Sequence, residues 1–112
     1  MAVRMTKQWR PLIADEVAGL AGHLGVYQLG NAAGDIVQIG CADARTRFGL
    51  RGVLQDALAE PPLDATCFRT ESTMAYRTRY TELLQVYLHD HAALPPGNQE
   101  LDLASLGVLR PD

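Results

Sequence analysis

Cysteine is scarce in this sequence. Only Cys41 and Cys67 occur, in a spacing that matches neither a zinc site nor the dense framework of a small disulfide-stapled scaffold. Both are expected as free thiols, buried or half-buried. Cys41 has no histidine adjacent in sequence to activate it as a nucleophile. Long apolar runs are missing too: the least polar stretch, Leu12 to Leu29, is broken by Asp15, Glu16, His23 and several glycines. A membrane span needs ~20 mostly apolar residues, so none is expected. Arg4, Lys7 and Arg10 lead into no apolar segment with a cleavage site, and the expectation is a cytoplasmic chain without a membrane partner. No glycine-rich phosphate loop lies between a strand and a helix, and there is no internal repeat or low-complexity segment. The formal net charge of -3 argues against a protein whose whole surface holds nucleic acid, since that binding rests on neutralising phosphates with Lys and Arg.

What is present suits one folded domain. The 112 residues are 47% hydrophobic and 21% charged, far from the composition of disorder, and single cores commonly run to ~100–150 residues. The expectation is a single domain over 1–112, with a core at about 24–98 and a tail at 99–112. Charge is unevenly spread. Arg45, Arg47, Arg51, Arg69, Arg77 and Arg79 all lie between residues 45 and 79, against four acidic residues there, so the middle is locally basic.

Periodicity gives the elements. Pro11 suits the first turn of a helix that continues with Leu12, Ile13, Val17 and Leu20 and ends at Gly22. Leu24–Leu29 and Asp35–Gly40 read as two strands of a hairpin, joined by Gly30-Asn-Ala-Ala-Gly34, whose Gly and Asn accept positive φ. After a polar loop from Cys41 to Thr46, Phe48, Leu50, Val53, Leu54, Ala57 and Leu58 share one side of a helix stopped by Pro61-Pro62. Ala65–Thr70 is rich in strand formers. Ser72 suits an N-cap for a long helix reaching about His91, with Tyr76, Tyr80, Leu83, Leu84 and Tyr87 as its core stripe, and Leu94-Pro-Pro-Gly-Asn98 breaks it. The predicted fold is therefore a small α/β (α+β) domain: a three-stranded sheet with an N-terminal hairpin, flanked by helices.

Gly25-Val-Tyr27, a loop of about ten residues, Gln38-Ile-Gly40 and then an arginine-bearing helix together resemble the GIY-YIG nuclease signature. Strand alternation directs Val26 and Ile39 to one face and Tyr27 and Gln38 to the other. The resemblance implies a metal-dependent phosphodiesterase on nucleic acid. Tyr27 matches the first tyrosine, proposed to help deprotonate the attacking water. Arg51 best matches the helix arginine that stabilises phosphate charge, with Arg47 a competitor four residues earlier. Glu82 best matches the glutamate that holds one Mg²⁺ or Mn²⁺, and Asn98 a late asparagine. Gln38 stands where the second tyrosine belongs and can orient a water but not take its proton. Cys41 stands where a basic residue commonly follows the motif.

Three readings follow from these residues. The first is the endonuclease, with Tyr27, Gln38 and Arg51 as catalytic residues, Glu82 as metal ligand, and Arg47, Arg77 and Asn98 as nucleic-acid contacts. The second is a catalytically silent module of the same fold that binds nucleic acid or protein. The third is an enzyme of different chemistry in the same cleft. A nuclease this small needs a protein partner, a homodimer or low specificity. His89-Asp-His91 offers no metal clamp, because residues two apart on a helix point ~200° from each other.

Overall fold

The computed structural model describes residues 4–99, so the tail from residue 100 lies outside the described residues. The hairpin forms where Gly and Asn predict it. β2 (Gly25–Gly30) pairs antiparallel with β3 (Ile36–Ala42), with a register shift at Leu29/Gly30. Asn31 closes the turn: its Oδ1 accepts hydrogen bonds from the Ala33 and Asp35 N–H groups, both at 3.0 Å. Gly34 supplies the left-handed step at φ 88° that only glycine adopts without cost.

Among the described residues the sheet has four strands, not three. β4 (Cys67–Ser72) lies on the other side of β2, and a two-residue β1 (Arg10–Pro11) joins it, giving the order β1-β4-β2-β3 with every pair antiparallel. The correction has a physical reason. Instead of opening a helix, Pro11 runs along an edge, where its missing N–H breaks no ladder, and the Leu12 N–H bonds the Thr66 carbonyl at 2.9 Å. The predicted helix shrinks to α1 (Ala14–Ala18).

α2 (Gly49–Ala59) stops just before Pro61-Pro62 as expected. β4 continues to Ser72 because pairing with β2 extends to Gly25↔Ser72. Ser72 is thus a strand residue rather than a cap, and α3 (Tyr76–His91) begins four residues later. Among the described residues no helix is long and apolar enough to cross a membrane.

Both sheet faces are covered. On one, Leu29 and its cross-strand partner Phe68, each 0% exposed, meet Val17 of α1 and Leu54 and Ala57 of α2. On the other, Val26 and Ile39 meet Leu83 and Leu84 of α3, together with Met5 and Leu94. Tyr80 and Tyr87 pack against this second cluster, as their helical stripe predicts.

Candidate functional site

Tyr27 sits on β2, a strand paired on both sides, and points to the α2 face. Its cross-strand partner is Gly40, and the phenol ring lies over that glycine so closely that a Cβ there would collide with the ring and its hydroxyl. The glycine of Gln38-Ile-Gly40 is therefore a seat for an aromatic ring. Gln38 reaches the same face and its Nε2 donates to the Tyr27 hydroxyl across a long 3.5 Å. Burial raises the Tyr27 pKa above its ordinary value, and the Gln38 bond only partly offsets it. The phenol stays neutral near pH 7, so it can hydrogen bond but is poorly tuned as a proton acceptor.

The chain then turns tightly into α2. Asp43 Oδ1 accepts from the Arg45 N–H at 2.9 Å and from the Thr46 hydroxyl at 3.1 Å, and these bonds hold its carboxyl below the usual range. Phe48 follows with φ 63°, a left-handed conformation unusual for an aromatic residue. It was expected on the buried side of the helix. The left-handed turn instead leaves it outside as the N-cap residue, 52% exposed. The Arg47 and Arg51 guanidinium carbons lie 5.0 Å and 5.8 Å from its ring centroid, within cation–π range. Neither arginine has a carboxylate partner among the described residues. Arg51, Phe48, Gln55 and Ala18 line a shallow groove of about 280 Å³. Arg45 is almost fully exposed beside this turn, and Arg77 is near enough to lower the Asp43 pKa.

Glu82 is elsewhere. It lies on α3, across the sheet from Tyr27, and its carboxylate is paired with Arg79. Arg79 also forks onto Glu71 at 2.7 Å and 3.2 Å. Arg79 is only 15% exposed and bridges both acids. A Mg²⁺ or Mn²⁺ ion on Glu82 would have to displace a guanidinium that already neutralises it. No group of three or more His, Cys, Asp or Glu among the described residues is arranged to hold a metal. The residues around Glu82 do not fit the ion that the resemblance implies.

Asn98 is 8% exposed and fully engaged: its Oδ1 accepts from the Ile39 N–H and its Nδ2 donates to the Ile39 carbonyl, both at 2.9 Å. It grips the outer edge of β3 rather than presenting an amide to a ligand. At the end of α3, Asp90 pairs bidentately with Arg4 and His91 stacks on Tyr87 at 4.1 Å. The structure thus brings Tyr27 and Gln38 together and groups Arg47 with Arg51 around Phe48. It separates both groups from Glu82, and Phe48 is the residue that sequence reasoning missed. An aromatic residue with arginines one before and three after it was the available signal.

The chain matches the family described as "Domain of unknown function (DUF7508)" over residues 3–90, and it belongs to that family. No curated protein and no solved structure matches it.

Proposed function

We propose that this DUF7508 member is a binding module for single-stranded nucleic acid on a GIY-YIG-like scaffold, with Phe48, Arg47 and Arg51 as its contact surface. One observation carries the reading: an exposed aromatic ring is held out by left-handed backbone beside two guanidiniums that have no carboxylate partner among the described residues. A base can stack on such a ring at ~1–3 kcal/mol per base, while flanking arginines meet the phosphates. A nearly flat contact suits bases that are already unstacked. Arg45 and Arg77 stand near it, both within electrostatic reach of the Asp43 carboxylate, and the overall charge of -3 keeps binding local to this surface.

The test is anisotropy titration of a short labelled single-stranded oligonucleotide. Phe48→Ala is expected to weaken binding by roughly 5- to 150-fold, the equivalent of one lost stacking contact. Two phosphate contacts predict a log–log salt slope near about −1.4 for a single strand. Absence of binding at low salt, or equal binding by Phe48→Ala, would overturn the reading.

The endonuclease reading rests on one observation, that Tyr27 and Gln38 share the sheet face covered by α2, the helix bearing Arg51. Cleavage of plasmid or single-stranded DNA that requires Mg²⁺ or Mn²⁺, and that falls in Tyr27→Phe and Arg51→Ala but not in Phe48→Ala, would replace the module by the enzyme.

A further inference from the structure

A cavity of about 120 Å³ opens on the α3 side of the sheet, away from Phe48 and independent of the proposed interface. Met5, Ile36, Leu83, Val86 and Tyr87 form an apolar wall, and polar side chains from α3, the N-terminal segment and the sheet line the rest. Gln28 and Arg69 are cross-strand partners on β2 and β4, so both project to this face. Gln28 is only 3% exposed. Its Oε1 accepts a 2.7 Å bond from Arg69 Nε, which fixes the amide orientation, and its Nε2 has no hydrogen-bond partner among the described residues.

Arg69 is held on three sides. Its guanidinium stacks on Trp9 at 4.2 Å, bonds Gln28, and donates through Nη1 to the Lys7 carbonyl at 3.2 Å. Every partner is neutral, and no carboxylate among the described residues pairs with it. Partial burial depresses its pKa, which expresses the same lack of a counter-ion. Of the other ionisable groups that line it, Arg4 and Asp90 pair with each other at 2.7 Å, and the His91 ring stacks on Tyr87. One guanidinium charge and one free amide donor therefore face an apolar hollow several times larger than one water requires.

We propose that this cavity is a binding site for a small monocarboxylate with a short apolar tail, its carboxylate on Arg69 and the Gln28 amide and its tail against Leu83 and Val86. A guanidinium matches a carboxylate in shape, and a single unneutralised positive charge matches a single negative one. A phosphate dianion would bring more charge than the site balances and nothing to fill the apolar wall.

The experiment titrates butyrate and benzoate into the full chain and follows side-chain and backbone NMR shifts, with butyramide and inorganic phosphate as controls. Saturable shifts are expected at the Gln28 Nε2 and Arg69 Nε signals with the carboxylates and not with butyramide. Arg69→Gln should weaken binding on the order of tenfold or more, the loss of one charged hydrogen-bond partner. Gln28→Glu is the decisive variant, because it gives Arg69 an internal carboxylate, keeps the side chain's size, and so should abolish binding while maintaining or raising Tm. If Arg69→Gln does not fold, Gln28→Glu carries the test alone. No saturable shift with either carboxylate, equal binding of butyramide or phosphate, or undiminished binding by Gln28→Glu would overturn the site.

Discussion

The two faces of the central sheet bury polar groups by different means. Toward α1 and α2, the inward side chains are Leu29, Phe68 and a single phenol, Tyr27, seated over Gly40 with Gln38 as its hydrogen-bond partner. Charge stays at the edge there: Arg10 of the edge strand β1 lies over Phe68 and pairs with Glu16 at 2.8 Å, while Arg47 and Arg51 beside Phe48 have no acidic partner among the described residues. Toward α3, charge enters the sheet itself: Glu71 sits opposite Val26, Arg69 sits opposite Gln28, and Arg79 from α3 binds Glu71 and Glu82 together. A carboxylate on the α3 side is a structural group because a guanidinium is already on it. Arg47 and Arg51 on the α2 side remain available because no carboxylate among the described residues pairs with them.

Truncating the apolar centre of each face should give the largest effects. Phe68→Ala is expected to cost ~3–5 kcal/mol and Leu84→Ala ~2–5 kcal/mol, both residues being 0% exposed. Denaturant midpoints measure both, and a loss confined to one face would show that the two clusters do not unfold together. The seat of Tyr27 comes next. Gly40→Ala should destabilise by ~1–3 kcal/mol through overpacking. In Tyr27→Leu most of that loss should vanish, and a double-mutant cycle with additive effects would mean that ring and glycine do not touch.

On the α3 side, Arg79→Met should cost ~1.5–3 kcal/mol, since it strands Glu71 and Glu82, which are 26% and 31% exposed. Glu82→Gln should cost about 1 kcal/mol or less, near the value of one neutral hydrogen bond. Added Mg²⁺ should leave Tm unchanged in wild type. A Mg²⁺-dependent rise in Tm that Glu82→Gln removes would make Glu82 a ligand and erase the contrast between the faces.

The smallest effect is in the pH profile. Tyr27, Tyr80 and Tyr87 all have pKa values raised chiefly by burial. The folded state thus prefers the neutral phenols, so their contribution is complete below pH 10 and is lost as pH rises through the raised values. Cys41 is raised in the same way from a lower ordinary value, so the decline starts somewhat earlier. Tyr27→Phe should flatten the alkaline fall in the denaturant midpoint more than Tyr80→Phe, because Tyr27 is the more deeply buried phenol.

Local chemistry in the sequence was sufficient for the hairpin, the end of α2 before Pro61 and the run of α3 to His91, since alternation, turn residues and proline act within a few positions. It was also sufficient to put Tyr27 and Gln38 on one face. It failed where a partner lies far along the chain. Pro11 becomes an edge residue because Cys67 is there to pair with it, and Ser72 stays in a strand because Gly25 does. Arg47 and Arg51 were legible as candidates, but Phe48 was assigned to the core because helical spacing cannot register a left-handed residue at the helix boundary. The engagement of Glu82 turned on which of several nearby arginines packs inward, and that depends on the sheet beneath α3.

The Asn98 clamp bears on how this chain behaves in a crowd. Among the described residues β3 ends the sheet on one side, and its segment Ile-Val-Gln-Ile-Gly-Cys-Ala is mostly apolar and free of charge and proline, the composition from which edge-to-edge polymers grow. Asn98 offers Ile39 one donor and one acceptor, the same pair an incoming strand would present. It thereby occupies a docking register on that border with a side chain that cannot propagate. Asn98→Ala would free an N–H and a carbonyl in the middle of that border, and the expected phenotype is concentration-dependent self-association seen by light scattering before any loss of helical signal.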